Sequence, residues 1–165
     1  VVRNVANIIP PYQPDGQAHA VSAALEPGVG GPRVRHIVVL GHAHCVGVKA
    51  FVEDIDNLRQ PLSPGDFIGK WMALMAPAAD KIGPRGDASI EDYRSRLELA
   101  NITNSLDNLM TFPRLAALIE NGKIGVHGAY FGVATGQLYV LDWKNGEFVH
   151  VAAPEHAKTF AQPRF

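Results

Sequence analysis

HIVVLGHAHCVGVKAF, residues 36–51, is the stretch around which the rest of the chain is organised. Ile37, Val38, Val39 and Leu40 form an unbroken apolar run, the composition of a strand buried on both faces of a parallel sheet. Gly41 ends the run, His42 and Cys45 follow within one loop, and Val48, Phe51 and Val52 then recur at helical spacing. A loop at the carboxyl end of such a strand is carried by a rigid sheet and opens onto a crevice. An imidazole and a thiolate three positions apart can close on one zinc ion. Read alone, His-x-x-Cys is a weak pattern. A core thiol beside a loop histidine is the plainer reading, because free cysteine is among the most buried residue types.

Working outward, the 165 residues and 17.8 kDa are those of a single domain, 1–165, large enough to bury a core. The chain opens on Val1 and Val2 in what reads as the middle of a strand, so an upstream part is expected to be missing from it. A net charge of -1 and a pI near 6.7 point to neither a nucleic acid nor an anionic membrane as partner. The single cysteine makes no intrachain disulfide. That fits a reducing, cytoplasmic compartment. No apolar run approaches the roughly 18 residues of a membrane span, and the N-terminus lacks the pattern of a secretory signal.

The flanking elements follow from local signals. Residues 1–9 read as a short strand stopped by Pro10 and Pro11, and residues 19–26 as a short helix ended by Pro27 and Gly28. The glycine-rich GVGGPR does not run from strand into helix as a phosphate loop does, and reads as a connection. Helices are predicted over 46–57 and 67–75, with loops at 58–66 and 77–87. Trp71 is read as a core or subunit contact. Ser89 caps a long helix with Asp92 in the reciprocal position, and Leu99, Ile102, Leu106 and Leu109 recur at three and four. Asn101, Asn104 and Asn108 on that helix are read as solvated or locally bonded amides. Pro113 restarts a helix that Gly122 ends, residues 124–133 form a strand, and Thr135-Gly136 and Asn145-Gly146 turn the chain through two more. Residues after Ala153 read as a tail. The fold class is α/β: a mostly parallel central sheet flanked by helices, with an antiparallel C-terminal edge.

These residues also carry a resemblance. VVRNVANIIPPY at 1–12, SAALE at 22–26 with HIVVLGHAHC at 36–45, GDFIGKWM at 65–72, NSLDNLMTFPRL at 104–115 and HGAYFGVATGQL at 127–138 together resemble the β-class carbonic anhydrases. The resemblance implies a zinc lyase that interconverts carbon dioxide and bicarbonate, with His42 and Cys45 as zinc ligands. It implies that Val5, Val46 and Gly47 line the substrate pocket, Val5 from the partner subunit. It also implies a homodimer or homotetramer with active sites at the subunit interface.

Where the sequence departs from that family, the expectations change. The family's Cys-x-Asp-x-Arg segment, which supplies a further zinc cysteine and an Asp-Arg pair, would lie upstream of Val1. No catalytic residue is therefore identifiable within the chain, and its one cysteine cannot make a Cys2His shell. His44 reads as a solvent-facing loop residue, since its spacing from His42 makes a shared tetrahedral site awkward. Val46-Gly47 replaces the family's Gly-Gly, placing a branched side chain beside the substrate. Pro27 and Gly132 fall where relatives often carry an aromatic and an Asp. Phe131 falls where some relatives place a tyrosine of an inhibitory bicarbonate pocket, so that inhibition is not expected. Two function classes stand: a working carbonic anhydrase, and a non-catalytic bicarbonate-binding or dimerising member. Carbon disulfide or carbonyl sulfide is an open alternative substrate.

Overall fold

The computed structural model describes residues 1–30, 34–54, 65 and 67–152. In chain order the elements are α1 (Ala20–Gly30), β1 (His36–His42), α2 (Val46–Asp54), α3 (Phe67–Met72), α4 (Ala76–Ile82), α5 (Ile90–Leu109), α6 (Pro113–Glu120), β2 (Gly125–Gly132), β3 (Gln137–Asp142) and β4 (Glu147–His150). The strands form one sheet in the order β1-β2-β3-β4. β1 pairs with β2 in parallel, with His36 opposite Gly125 and His42 opposite Phe131. β2–β3 and β3–β4 are antiparallel. The α/β class with its antiparallel C-terminal edge is therefore as expected. Among the described residues, however, only one of the three pairings is parallel, because only β1 and β2 are joined by a helical crossover.

α5 is the spine of the molecule. Ser89 caps it as expected, its Oγ accepting the Asp92 N–H at 3.0 Å and donating to Asp92 Oδ2 at 2.7 Å. Its Ile102, Leu106 and Leu109 pack with Val39, Phe112, Leu115, Ile124 and Leu141 between sheet and helices. Its Tyr93 and Leu97 join Cys45, Val48, Phe51, Met72 and Met75 in a second cluster under α2, α3 and α4. Gly128 and Gly41 lie where the sheet meets this helix. A Cβ on Gly41 would stand 2.7 Å from Ile102 Cδ1, so only glycine lets β1 sit this close.

Four expectations are corrected by tertiary packing. Residues 1–9 form no strand: Val5–Asn7 is a single 3-10 turn, with Ala6 and Asn7 at φ 60 and 47. Side chains of α5 take the place of a ladder there. Asn101 donates to Ala6 O at 2.6 Å, Ser105 to Asn7 O at 3.0 Å and Asn108 to Ile9 O at 2.8 Å. Asn104 reaches Leu74 O. The asparagines are thus long-range backbone anchors, with Asn101 at 0% exposure, and not solvated amides. Trp71 belongs to the same strap, donating from Nε1 to Val5 O at 2.9 Å.

α1 runs through Pro27 to Gly30, because buried Val29 and its neighbour Leu25 pack into the sheet-side core. The missing N–H of one proline is outweighed by that burial. Pro77, expected in a loop, sits in the first turn of α4, where its lack of a donor costs nothing, and Ala78 and Ala79 are buried behind it. The predicted helix over 46–57 is described to Asp54. The end of that helix, most of the loop at 58–66, the last residues of GVGGPR and the tail lie outside the described residues. At the C-terminal turns Gly136 and Gly146 take φ 67 and 75, as their dipeptides imply.

β1 itself differs from a strand buried on both faces. Val39 and Gly41 face α5, but Val38 and Leu40 on the opposite face are 45% and 55% exposed. The edge of β1 away from β2 carries no partner strand among the described residues.

Candidate metal and substrate site

His42 is the last residue of β1, and Cys45 immediately precedes α2. The two come together because β1 ends on the sheet's carboxyl side and the turn into α2 follows at once. His42 is exposed, and its Nδ1 lies 2.9 Å from its neighbour's carbonyl, Ala43 O. A carbonyl only accepts, so Nδ1 is the donor there and Nε2 is the ring nitrogen left for a metal. Cys45 is buried and free. Its backbone N–H donates to Glu98 Oε1 at 2.9 Å.

His44 is exposed, as expected, and its ring is nonetheless held. Arg94 Nη2 lies 2.8 Å from its Nδ1, and its backbone takes φ 58. Glu98 is 3% exposed, and its second oxygen accepts the Tyr130 hydroxyl at 2.7 Å. Burial and then the Glu98 carboxylate push the Tyr130 phenol well above its ordinary range, so it stays a donor. Beside this cluster lies a cavity of about 340 Å³ whose lining includes Ala43, His44, Leu99, Tyr130, Thr135 and Tyr139. Sequence reasoning missed Arg94, Glu98 and Tyr130. The signal for Arg94 and Glu98 is an i, i+4 charged pair inside the buried pattern of α5, and Tyr130, on β2, carries none of that kind.

Of the candidate substrate residues, Val5 and Gly47 are brought together within one chain. A Cβ on Gly47 would lie 2.8 Å from Val5 Cγ1 and 3.1 Å from Ala6 Cβ. Gly47 is therefore required by packing, independently of any ligand. Val46 is 78% exposed at the start of α2, so its side chain meets open space there. Phe131 is exposed on the same sheet face as His42, directly opposite it in register.

The donor chemistry of His42 and Cys45 suits zinc, but two protein donors do not close a tetrahedral shell. Among the described residues no group of three or more His, Cys, Asp or Glu is placed to hold a metal ion.

A model of the carbonic anhydrase family matches residues 1–138. The Arabidopsis thaliana protein Beta carbonic anhydrase 3 is 34% identical over 148 residues, which cover 87% of this chain and 56% of that one. The chain belongs to the β-class carbonic anhydrase family. The β-carbonic anhydrase CcaA has the same fold at a TM-score of 0.77 and 25% identity, over 91% of this chain and 70% of its own. Two tetrameric β-carbonic anhydrases of Sordaria macrospora have been solved, and the match to them has a TM-score of 0.64 at 21% identity, over 92% of this chain and 68% of theirs. This β-carbonic anhydrase chain spans little more than half the length of its Arabidopsis relative. No described helix is long and apolar enough to cross a membrane.

Proposed function

We propose that the protein formed by this chain hydrates carbon dioxide reversibly to bicarbonate at a zinc centre that His42 and Cys45 help to hold. The observation that carries this reading is the placement of those two residues around one loop at the carboxyl end of β1, with His42 Nδ1 bonded to Ala43 O and Nε2 left for a metal. Bound zinc supplies Lewis acidity, lowering the pKa of a coordinated water to about 7. Among the described residues no third donor joins His42 and Cys45. The unpaired edge of β1, which ends at His42, is where a further parallel strand fits, and an apolar strand left open at an edge is a liability that proteins cover.

The chain's own residues give the pocket its shape. Val5 and Ala6 close against Gly47, which leaves a small apolar wall beside the ligand loop. Val46 adds a branched side chain at its rim, and Val46→Gly is expected to raise turnover by a few-fold in stopped-flow hydration assays. An unchanged rate would show that the rim tolerates valine. The exposed sheet face bearing Val38, Leu40, His42 and Phe131 supports assembly as a homodimer or homotetramer through this side. A cytoplasmic location is part of the same proposal.

The test is zinc content together with hydration rate in the full protein. About one zinc per chain retained through dialysis, with catalysed hydration, is expected. Stoichiometric absence of zinc, with hydration at the uncatalysed rate, would overturn the reading in favour of a non-catalytic member. Family membership favours the enzyme.

A further inference from the structure

The turn between β1 and α2 is held at three successive residues by groups that are not themselves metal ligands. Ala43 donates its N–H to Phe131 O at 2.9 Å. His44 Nδ1 faces Arg94 Nη2 at 2.8 Å, and since a guanidinium has no lone pair to offer, Nδ1 is the acceptor. Cys45 donates its N–H to Glu98 Oε1. Arg94 and Glu98 are both buried and stand one turn apart on α5, with Arg94 Nε 3.8 Å from Glu98 Oε1. Glu91 lies 3.5 Å from the outer side of the same guanidinium. Glu98 Oε2 takes the hydroxyl of Tyr130, from the strand that also supplies Phe131 O.

A carboxylate out of water is tolerated only when paired and hydrogen-bonded. Here its two hydrogen bonds end on different elements, the ligand loop and β2, while its ion-pair partner Arg94 stands on α5 itself. His44 is meanwhile kept in a left-handed backbone conformation that a residue with a Cβ adopts only when its surroundings enforce it.

We propose that Glu98 and Arg94 are positioning residues, a clamp on α5 that sets the backbone of residues 43–45 and so fixes Cys45 relative to His42 before any metal binds. This rests on the reading of His42 and Cys45 as ligands. Loop freedom at a metal site is expressed as weaker binding, because the entropy of ordering is then lost on binding.

The readout is alkylation of Cys45 by iodoacetamide in the full-length protein after chelation, followed by mass spectrometry of the Cys45 peptide, with zinc affinity measured in parallel. Glu98→Ala is expected to speed alkylation about tenfold or more and to weaken zinc binding by roughly 10–100-fold. Glu98→Gln keeps an oxygen for the Cys45 N–H and is expected to restore most of both. A wild-type alkylation rate in folded Glu98→Ala overturns the clamp. Where that variant fails to fold, Arg94→Lys keeps the charge beside Glu98 but loses the planar fork that reaches His44, and is expected to speed alkylation several-fold. A wild-type rate there overturns the clamp equally. Wild-type protein that binds no zinc, with fast alkylation in Glu98→Ala, would sink the ligand reading and leave the clamp standing.

Discussion

Replacing Cys45 with serine is expected to remove zinc and carbon dioxide hydration together, taking the rate to the uncatalysed background, while the fold survives. Cys45 is buried among Val48, Phe51 and Met72, and serine fits the same volume. The backbone N–H to Glu98 is unaffected by the change, so the loop keeps its anchor. What is lost is a thiolate. A thiol ionises on zinc at neutral pH, whereas an alkoxide of serine does not form there, and the oxygen is a poorer match for a soft N/S site. Zinc per chain by elemental analysis, stopped-flow hydration and thermal melting decide the matter. Retained zinc with full turnover would remove Cys45 from the ligand set.

Asn101→Ala is expected to be the most costly single change to the strap that carries Val5. The Asn101 amide donates to Ala6 O at 2.6 Å with no exposure to solvent. Removing it strands a buried carbonyl, at about 1–3 kcal/mol. For a chain of this size each kcal/mol lowers the melting temperature by roughly 2–4 °C. The loss falls on a segment with no strand neighbours, whose Ala6 and Asn7 both sit at positive φ and whose remaining anchors are the side-chain bonds from Trp71, Ser105 and Asn108. Val5 would then leave Gly47, and activity is expected to fall with stability. Ser105→Ala, which removes the neighbouring bond to Asn7 O, is expected to do the same more mildly. An unshifted melting curve in Asn101→Ala would show that the strap is held by packing alone.

Much of the molecule was legible from the chain. The apolar run before Gly41 marked β1, although the strand runs on through Gly41 to His42, which had been read as part of the loop. Ser89 with Asp92 located the start of α5, Pro113 the start of α6, and Thr135-Gly136 and Asn145-Gly146 the hairpin turns. Each of these is a local code, in which a residue's own backbone preference or its neighbours within one turn decide the outcome. The readings that needed correction lie elsewhere. Pro27 and Pro77 were read as breaks because the burial of Val29, Ala78 and Ala79 that sustains their helices is a tertiary fact. The asparagines of α5 were read as solvated or locally bonded. Asn101, Ser105 and Asn108 do form a stripe beside Ile102, Leu106 and Leu109, but the backbone they serve lies between 95 and 99 residues away in the sequence.

The sequence by itself determined the α/β class, the family resemblance, the expectation that His42 and Cys45 are ligands, and the lack of a second cysteine for a Cys2His shell, since a single cysteine is a count that no folding alters. Only the tertiary structure decided that β1 stands at the edge of the sheet among the described residues, that Val5 rests on Gly47 through a strained turn, and that Glu98 reaches the Cys45 N–H across 53 residues. The physical reason is the range of the interactions. Caps, turns and periodicity act within a few residues and can be read along the chain, whereas a buried carboxylate or amide takes its meaning from whichever distant backbone group needs it.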